Sequence, residues 1–170
     1  FLLSLVFTAR MGITGFYLLK RKIGWEEVIG VLFAFVMYQL GFMLLGLSST
    51  APIGWLEFIG MGIYIVGSAI NTCSELQRKQ FKDNPDNKGK LYTKGLFKYS
   101  QHINYFGDVL WACGWAMVTQ CWWAGIIPLL AFLNFAFFMI PPLDKYLAKK
   151  YGKEYDEWNQ KTKKFIPFIY

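Results

Sequence analysis

The stretch GLFKYSQHINYFGD, Gly95 to Asp108, gathers the side chains of this sequence best suited to chemistry. His102, Asn104, Tyr105 and Asp108 follow one another at the mouth of a long apolar run. At helical spacing Asn104 and Asp108 stand one turn apart, and His102 and Tyr105 nearly so. An amide beside a carboxylate can hold a carboxamide, accepting from its NH2 and donating to its carbonyl. A phenol or imidazole next to it can deliver a proton, which makes Tyr105 and His102 the catalytic candidates. The same four residues also read as a polar helix entry paired with nearby lysines, so both readings stand at this level.

A second set precedes it. Asn71, Glu75, Arg78 and Lys82 recur at steps of three or four residues and share one helical face, with Lys79 beside them. One carboxylate among cations suits a ribose hydroxyl together with phosphates. It equally suits a juxtamembrane helix touching anionic lipid headgroups. The third set, Lys145, Lys149, Lys150, Tyr151, Lys153, Lys161, Lys163 and Lys164, lies near the C-terminus. It could close over a phosphate-bearing ligand or rest on acidic lipids as an interfacial helix.

These sets need elements to hold them, and the elements are apolar helices. Of 170 residues, 55% are hydrophobic and 19% aromatic but only 17% charged, too little charge for a soluble domain of this length. Long uncharged runs alternate with short basic clusters, the pattern of a polytopic membrane protein. The net charge of +7 then reflects basic loops on one side and gives no ground for a nucleic-acid partner. Three scattered cysteines build neither a disulfide framework nor a metal site, and a single histidine excludes any triad through another. No strand pattern or glycine-rich phosphate loop occurs.

Apolar runs are expected over Phe1–Leu19, Val28–Leu47, Trp55–Ala69, Asn104–Thr119 and Trp123–Ile140, the last interrupted by Pro128 and ended by Pro141-Pro142. Arg10 sits inside the first run, where it either faces protein or snorkels to the surface. The helix from Trp55 is expected to continue to about Lys82 before turns at Asn84-Pro85 and Asn87–Gly89. Gly60, Gly62 and Gly67 in it read as sites of close helix packing. Tyr38, Glu57 and Tyr64 are further polar groups within the apolar runs.

Every lysine and arginine except Arg10 falls in connectors on one side, and the opposite connectors SSTAPIG and TQCWWAG carry none. The expectation is an all-α polytopic bundle of about five transmembrane helices, its amphipathic C-terminal helix on the cytoplasmic or matrix side. A division into residues 1–70, N-terminal membrane helices, and 71–170, a C-terminal domain carrying the three polar sets, is expected. The chain opens at Phe1 directly in apolar sequence, so further residues are expected upstream.

Taken together, N-x3-E-x2-R at Asn71–Arg78, then GLFKYSQHINYFGD, then KKYGKEYDEWNQKTKKFIPFIY resemble the C-terminal domain of the steroid 5-alpha-reductase superfamily, in particular its DUF1295 branch. HINYFGD is also similar to the HxNYxGD element of the delta-14 and delta-7 sterol reductases. A more distant likeness runs to the isoprenylcysteine carboxyl methyltransferases, which use S-adenosylmethionine. The resemblance covers about Ser68 to Tyr170 and implies that 71–170 is a reductase-like cofactor-binding domain. It implies NADPH held from the cytoplasmic side and hydride transfer to a conjugated enone or sterol double bond of a flat, lipophilic substrate entering from the bilayer. Asn71 and Glu75 would meet the adenosine and ribose part, with Arg78, Lys79 and Lys82 near phosphates. Asn104 and Asp108 would hold the carboxamide, flanked by His102 and Tyr105, and Tyr151 with Lys164 in the basic tail would complete the pocket. Gln101 stands where the family has Arg, which removes a fixed charge and a fork of donors. The resemblance further implies the endoplasmic reticulum membrane, with an organellar inner membrane as the other setting. Rival readings are a non-catalytic subunit of a larger membrane complex and a membrane methyltransferase.

Overall fold

The computed structural model describes residues 2–18, 24–47, 49 and 51–170, with the side chain of Glu27 excepted. The basic cluster Lys20, Arg21 and Lys22 lies outside the described residues. Among those described the chain is all helical: α1 (Leu2–Gly12) running into a π-helical segment (Ile13–Leu18), α2 (Trp25–Leu47), α3 (Trp55–Asp83), α4 (Ile103–Val118), α5 (Ile126–Asn134), α6 (Ile140–Tyr151) and α7 (Lys153–Lys161).

Among the described residues three helical stretches are long and apolar enough to cross a membrane: Val28–Leu47, Trp55–Asp83 and Trp122–Tyr151. The apolar helix Leu2–Leu18 and the 16-residue α4 are shorter. In α2 only 6% of the apolar window is buried, so Leu32, Phe33, Leu44 and their neighbours point outward. An apolar surface of that extent requires hydrocarbon around it. The protein is a multi-pass membrane helix bundle.

At about 1.5 Å per residue, the 29 residues of α3 outreach a hydrocarbon core of about 30 Å. Its polar final turns therefore project beyond the bilayer, as the spacing of Asn71 to Lys82 predicts. Asn84 then caps a short turn at Pro85–Asn87, its side chain accepting from the Asp86 N–H.

The central packing is α3 against α4, and glycine makes it possible. A Cβ on Gly60 would lie 2.8 Å from the Gly114 carbonyl oxygen, one on Gly107 2.7 Å from the Asn71 nitrogen, and one on Gly67 would overlap the Trp111 nitrogen. Two glycines seven residues apart on each helix thus let the backbones touch. Gly62, on another face, meets open space and plays no part in this contact.

An aromatic core fills the membrane half: Phe7, Phe42, Tyr64, Trp111 and Trp115, with Phe35 and Tyr38 against them. Phe7 alone meets four rings within 6 Å. A second, smaller core of Leu91, Phe97, Ile103, Tyr155 and Trp158 lies under the lysine-rich loop and binds α7 to the start of α4.

The Pro141-Pro142 pair does not end its helix, contrary to the sequence expectation. The chain passes from α5 through a π-helical turn at Phe135–Met139 into α6, whose first turn holds both prolines. There a missing N–H leaves nothing unpaired, because first-turn donors have no intrahelical partner. Gly152, at φ +53°, supplies the left-handed residue that separates α6 from α7.

Candidate functional site

Where α3 leaves the apolar layer its polar face meets the start of α4 and the sequence from α6 to α7. Between them opens a cleft of about 470 Å³. Seven of the eleven candidate binding residues line it: Glu75, Arg78, Lys79, Lys82, His102, Asn104 and Tyr151. Three segments far apart in the chain therefore converge on one cavity, with Lys150 and Trp158 added to its walls.

The floor is a carboxamide against a carboxylate. Asn104 Nδ2 donates to Glu75 Oε1 at 2.9 Å, and the other Glu75 oxygen accepts from Arg78. Cations form the rim. Lys82 donates to the Tyr151 hydroxyl at 3.0 Å and lies 5.1 Å from the centre of that ring, while Lys150 approaches the same ring at 5.4 Å. Lys79 pairs with Asp83 and sits 4.5 Å over the Tyr17 ring. Four cations thus face two carboxylates, Glu75 and Asp83, around a recess whose deep wall carries neutral amides. Beside it the Trp158 indole N–H is buried with no protein acceptor.

His102 closes one side and is almost wholly buried. Its Nε2 lies 2.8 Å from Asp144 Oδ1 on α6, an acceptor that holds the proton on that nitrogen. The imidazole stacks on Tyr105 at 5.7 Å, and Tyr105 stacks on Phe135 at 4.6 Å. Tyr105 therefore stands behind His102 and does not line the cleft. Lys164 reaches the second Asp144 oxygen at 3.3 Å and anchors the tail rather than lining the cavity. The Tyr155 hydroxyl donates to Gln101 Oε1 at 3.5 Å, and burial, aided by the Asp144 carboxylate, raises this phenol above its ordinary range.

Asp144 escaped the sequence reading. The available signal was its register: it lies on the same face as Leu147 and Tyr151, the inward stripe of an amphipathic helix, where an acid must find a partner.

Gln101 is buried and occupied. Its Nε2 donates to Asn159 Oδ1 at 3.0 Å and to the Thr162 carbonyl at 2.7 Å, while its backbone N–H donates to the Lys163 carbonyl. Ser100 and the His102 N–H complete this clasp on the carbonyls of Lys164 and Phe165. Position 101 here ties the tail to the start of α4.

Asn71 and Asp108 turn inward, away from the cleft. Both meet Arg10, whose guanidinium donates to Asp108 Oδ1 at 3.2 Å, Asn71 Oδ1 at 3.3 Å and Ser68 Oγ at 3.0 Å. The Trp111 indole also donates to Asp108, at 2.8 Å. Of the two sequence readings of Arg10, the structure selects the one in which it faces protein. Tyr38 and Tyr64 belong to the aromatic core, and Glu57 accepts from the Gly54 N–H at the start of α3.

Comparison with known proteins agrees with the superfamily that the motifs suggested. The model of a family described as a protein of unknown function, DUF1295, matches residues 17–162. A Delta(14)-sterol reductase of Saccharomyces cerevisiae is 30% identical over 136 residues, covering 72% of this chain and 31% of its own. The human 3-oxo-5-alpha-steroid 4-dehydrogenase 1 is 29% identical over 112 residues, 66% of this chain and 41% of its own. A probable protein-S-isoprenylcysteine O-methyltransferase of Oryza sativa subsp. indica is 25% identical over 178 residues, covering 99% of this chain and 88% of its own. The chain thus spans well under half the length of the two reductases and most of the length of the methyltransferase.

Proposed function

The chain belongs to the DUF1295 family, and within it we propose an NADPH-dependent oxidoreductase that reduces a carbon–carbon double bond of a flat lipophilic substrate. The observation that carries this reading is the lysine-side cleft, where Arg78, Lys79, Lys82 and Lys150 surround an Asn104–Glu75 floor.

The donor set suits the cofactor. Three phosphates need several cations at their own spacing, and the rim supplies four from two helices. Glu75 accepts from a ribose hydroxyl, and Asn104 offers the mixed donor and acceptor that a carboxamide requires. The buried Trp158 N–H beside the cleft is a further donor without a protein acceptor. NADPH, when bound, supplies the hydride. The chain's own residues bind and orient it, exclude water through the Leu91 and Phe97 wall, and keep a proton on His102 Nε2 through Asp144. His102, with Tyr105 stacked on it, stands on the proton-delivering side.

In this reading the five apolar segments all span, residues 71–170 form the cofactor-binding part, and the lysine-bearing side is cytoplasmic in the endoplasmic reticulum membrane.

A second reading has its own support. The methyltransferase relative matches almost the whole chain, so methyl transfer from S-adenosylmethionine competes with hydride transfer. Electrostatics favour the reductase: a sulfonium cation would enter a cleft already rimmed by four cations.

Thermal unfolding of the purified protein separates the two, because a ligand that binds only the folded state stabilises it, by about 2.7 kcal/mol at a hundredfold excess over Kd. NADPH is expected to raise the midpoint and S-adenosylmethionine to leave it unchanged. The reverse pattern would establish the methyltransferase reading. No shift with either would remove both and favour a non-catalytic subunit.

A further inference from the structure

Lys82 and Lys150 are exposed at the open edge of the cleft, but the polar groups of its floor lead back into the membrane. Asn104 donates to Glu75 at 2.9 Å. The Asn104 carbonyl accepts from Asn71 Nδ2 at 3.1 Å, and Asn71 Oδ1 accepts from Arg10 at 3.3 Å. The same guanidinium pairs with Asp108, one turn below Asn104 on α4, and with Ser68, one turn below Asn71 on α3. One planar, permanently charged fork from α1 therefore fixes both helices at the level just beneath the floor.

We propose that Arg10 is a positioning residue for the cleft, setting the Asn104–Glu75 pair through Asn71. It touches no cleft ligand itself. The cost of placing it there argues for such a role. Arg10 is 11% exposed within an apolar helix, and its Nε is buried without a partner. A charge at that depth is expensive and persists only where partners hold it. The α3–α4 contact already has its glycine seam, so close packing of these helices does not require Arg10. The N-terminal segment meets the cleft a second time higher up, where Tyr17 lies under Lys79 and Leu18 lines the wall. The site is thus completed by a segment from the first eighteen residues, and residues 71–170 alone would lack its supporting layer.

The NADPH arm of the test rests on the cofactor reading, whereas the exchange arm does not. Arg10→Met alone would strand the Asp108 carboxylate, so the informative variant is Arg10→Met with Asp108→Asn, which removes both charges together. Hydrogen exchange and NADPH affinity are measured on this double variant, on Asn71→Ala, and on Asp108→Asn alone in the full chain. The double variant and Asn71→Ala are expected to speed exchange in 71–78 and 102–107 while 153–165 keeps its wild-type rate. Both should weaken NADPH binding by about tenfold, the loss of roughly one hydrogen bond to a charged partner. Asp108→Asn alone, which keeps the Arg10–Asn71 bond, should retain the wild-type pattern at 71–78. If the double variant matches the wild type at 71–78, Arg10 merely neutralises Asp108 and the proposal fails. Faster exchange everywhere would also overturn it, because that is a global effect. If the wild type does not bind NADPH, the cofactor reading falls and the exchange pattern alone decides for or against Arg10.

Discussion

The partly buried Arg10–Asp108 ion pair beneath the cleft and the exposed cations Lys82 and Lys150 above it use the same side-chain chemistry to opposite ends. Arg10 is enclosed, spreads its donors over three acceptors and has an aromatic ring 5.1 Å from its charge. Lys82 and Lys150 lean on the Tyr151 ring at the edge of an open recess, with partners that include a phenol and a backbone carbonyl. The enclosed charge is committed to structure, because removing any partner leaves an uncompensated group in a medium of low dielectric. The rim charges are weakly committed, since exposed contacts contribute about 0–1 kcal/mol. A site that must accept and release an anion needs the second kind of cation, and a layer that must hold the floor still needs the first.

This contrast can be broken by substitution. The largest effect is expected at the seam both regions share: Gly67→Leu has no room against the Trp111 backbone and should prevent assembly of the α3–α4 pair, whereas Gly62→Leu should fold normally. Yield of folded protein after extraction into detergent reads this directly. Next, Arg10→Met leaves the Asp108 carboxylate without its countercharge, with only the Trp111 indole donating to it, and should cost about 3–5 kcal/mol of stability. Lys150→Met at the rim should change the unfolding midpoint little, within about 0.5 kcal/mol. Equal losses for the two would dissolve the distinction between the regions.

Asp144→Asn lies between these extremes. It removes the charge that Lys164 and His102 share and should cost about 1–3 kcal/mol, with earlier proteolysis after residue 161 as its signature. Retained protease resistance would show that the Gln101–Ser100 clasp holds the tail without it. The smallest effect on stability is expected for Lys82→Met. It should weaken NADPH binding several-fold and flatten its salt dependence while leaving the melting curve in place.

The sequence carried the architecture because burying apolar residues at helical spacing and confining cations to one side are local constraints, visible residue by residue. The glycine seam was legible for the same reason, although only contact geometry separates Gly60 and Gly67 from the idle Gly62. Seven of the eleven candidate binding residues meet in the cleft because helical register fixes their direction. Asn71, Tyr105, Asp108 and Lys164 behave differently, since their partners, Arg10, Phe135 and Asp144, lie 20 or more positions away on other elements. Spacing does not encode such pairings. Pro141-Pro142 misled for a related reason: a proline pair stops a helix in isolation, but directly after a π-helical turn it sits in a new first turn.

The central claim is that the cleft between the last turns of α3 and the start of α4 is the dinucleotide site. Its most direct test is an experimental structure of the protein with saturating NADPH. The account predicts density for the dinucleotide in that cleft, its phosphates among Arg78, Lys79 and Lys82 and its carboxamide at Asn104. Density for NADPH elsewhere, or none in a cleft otherwise well defined, would contradict it.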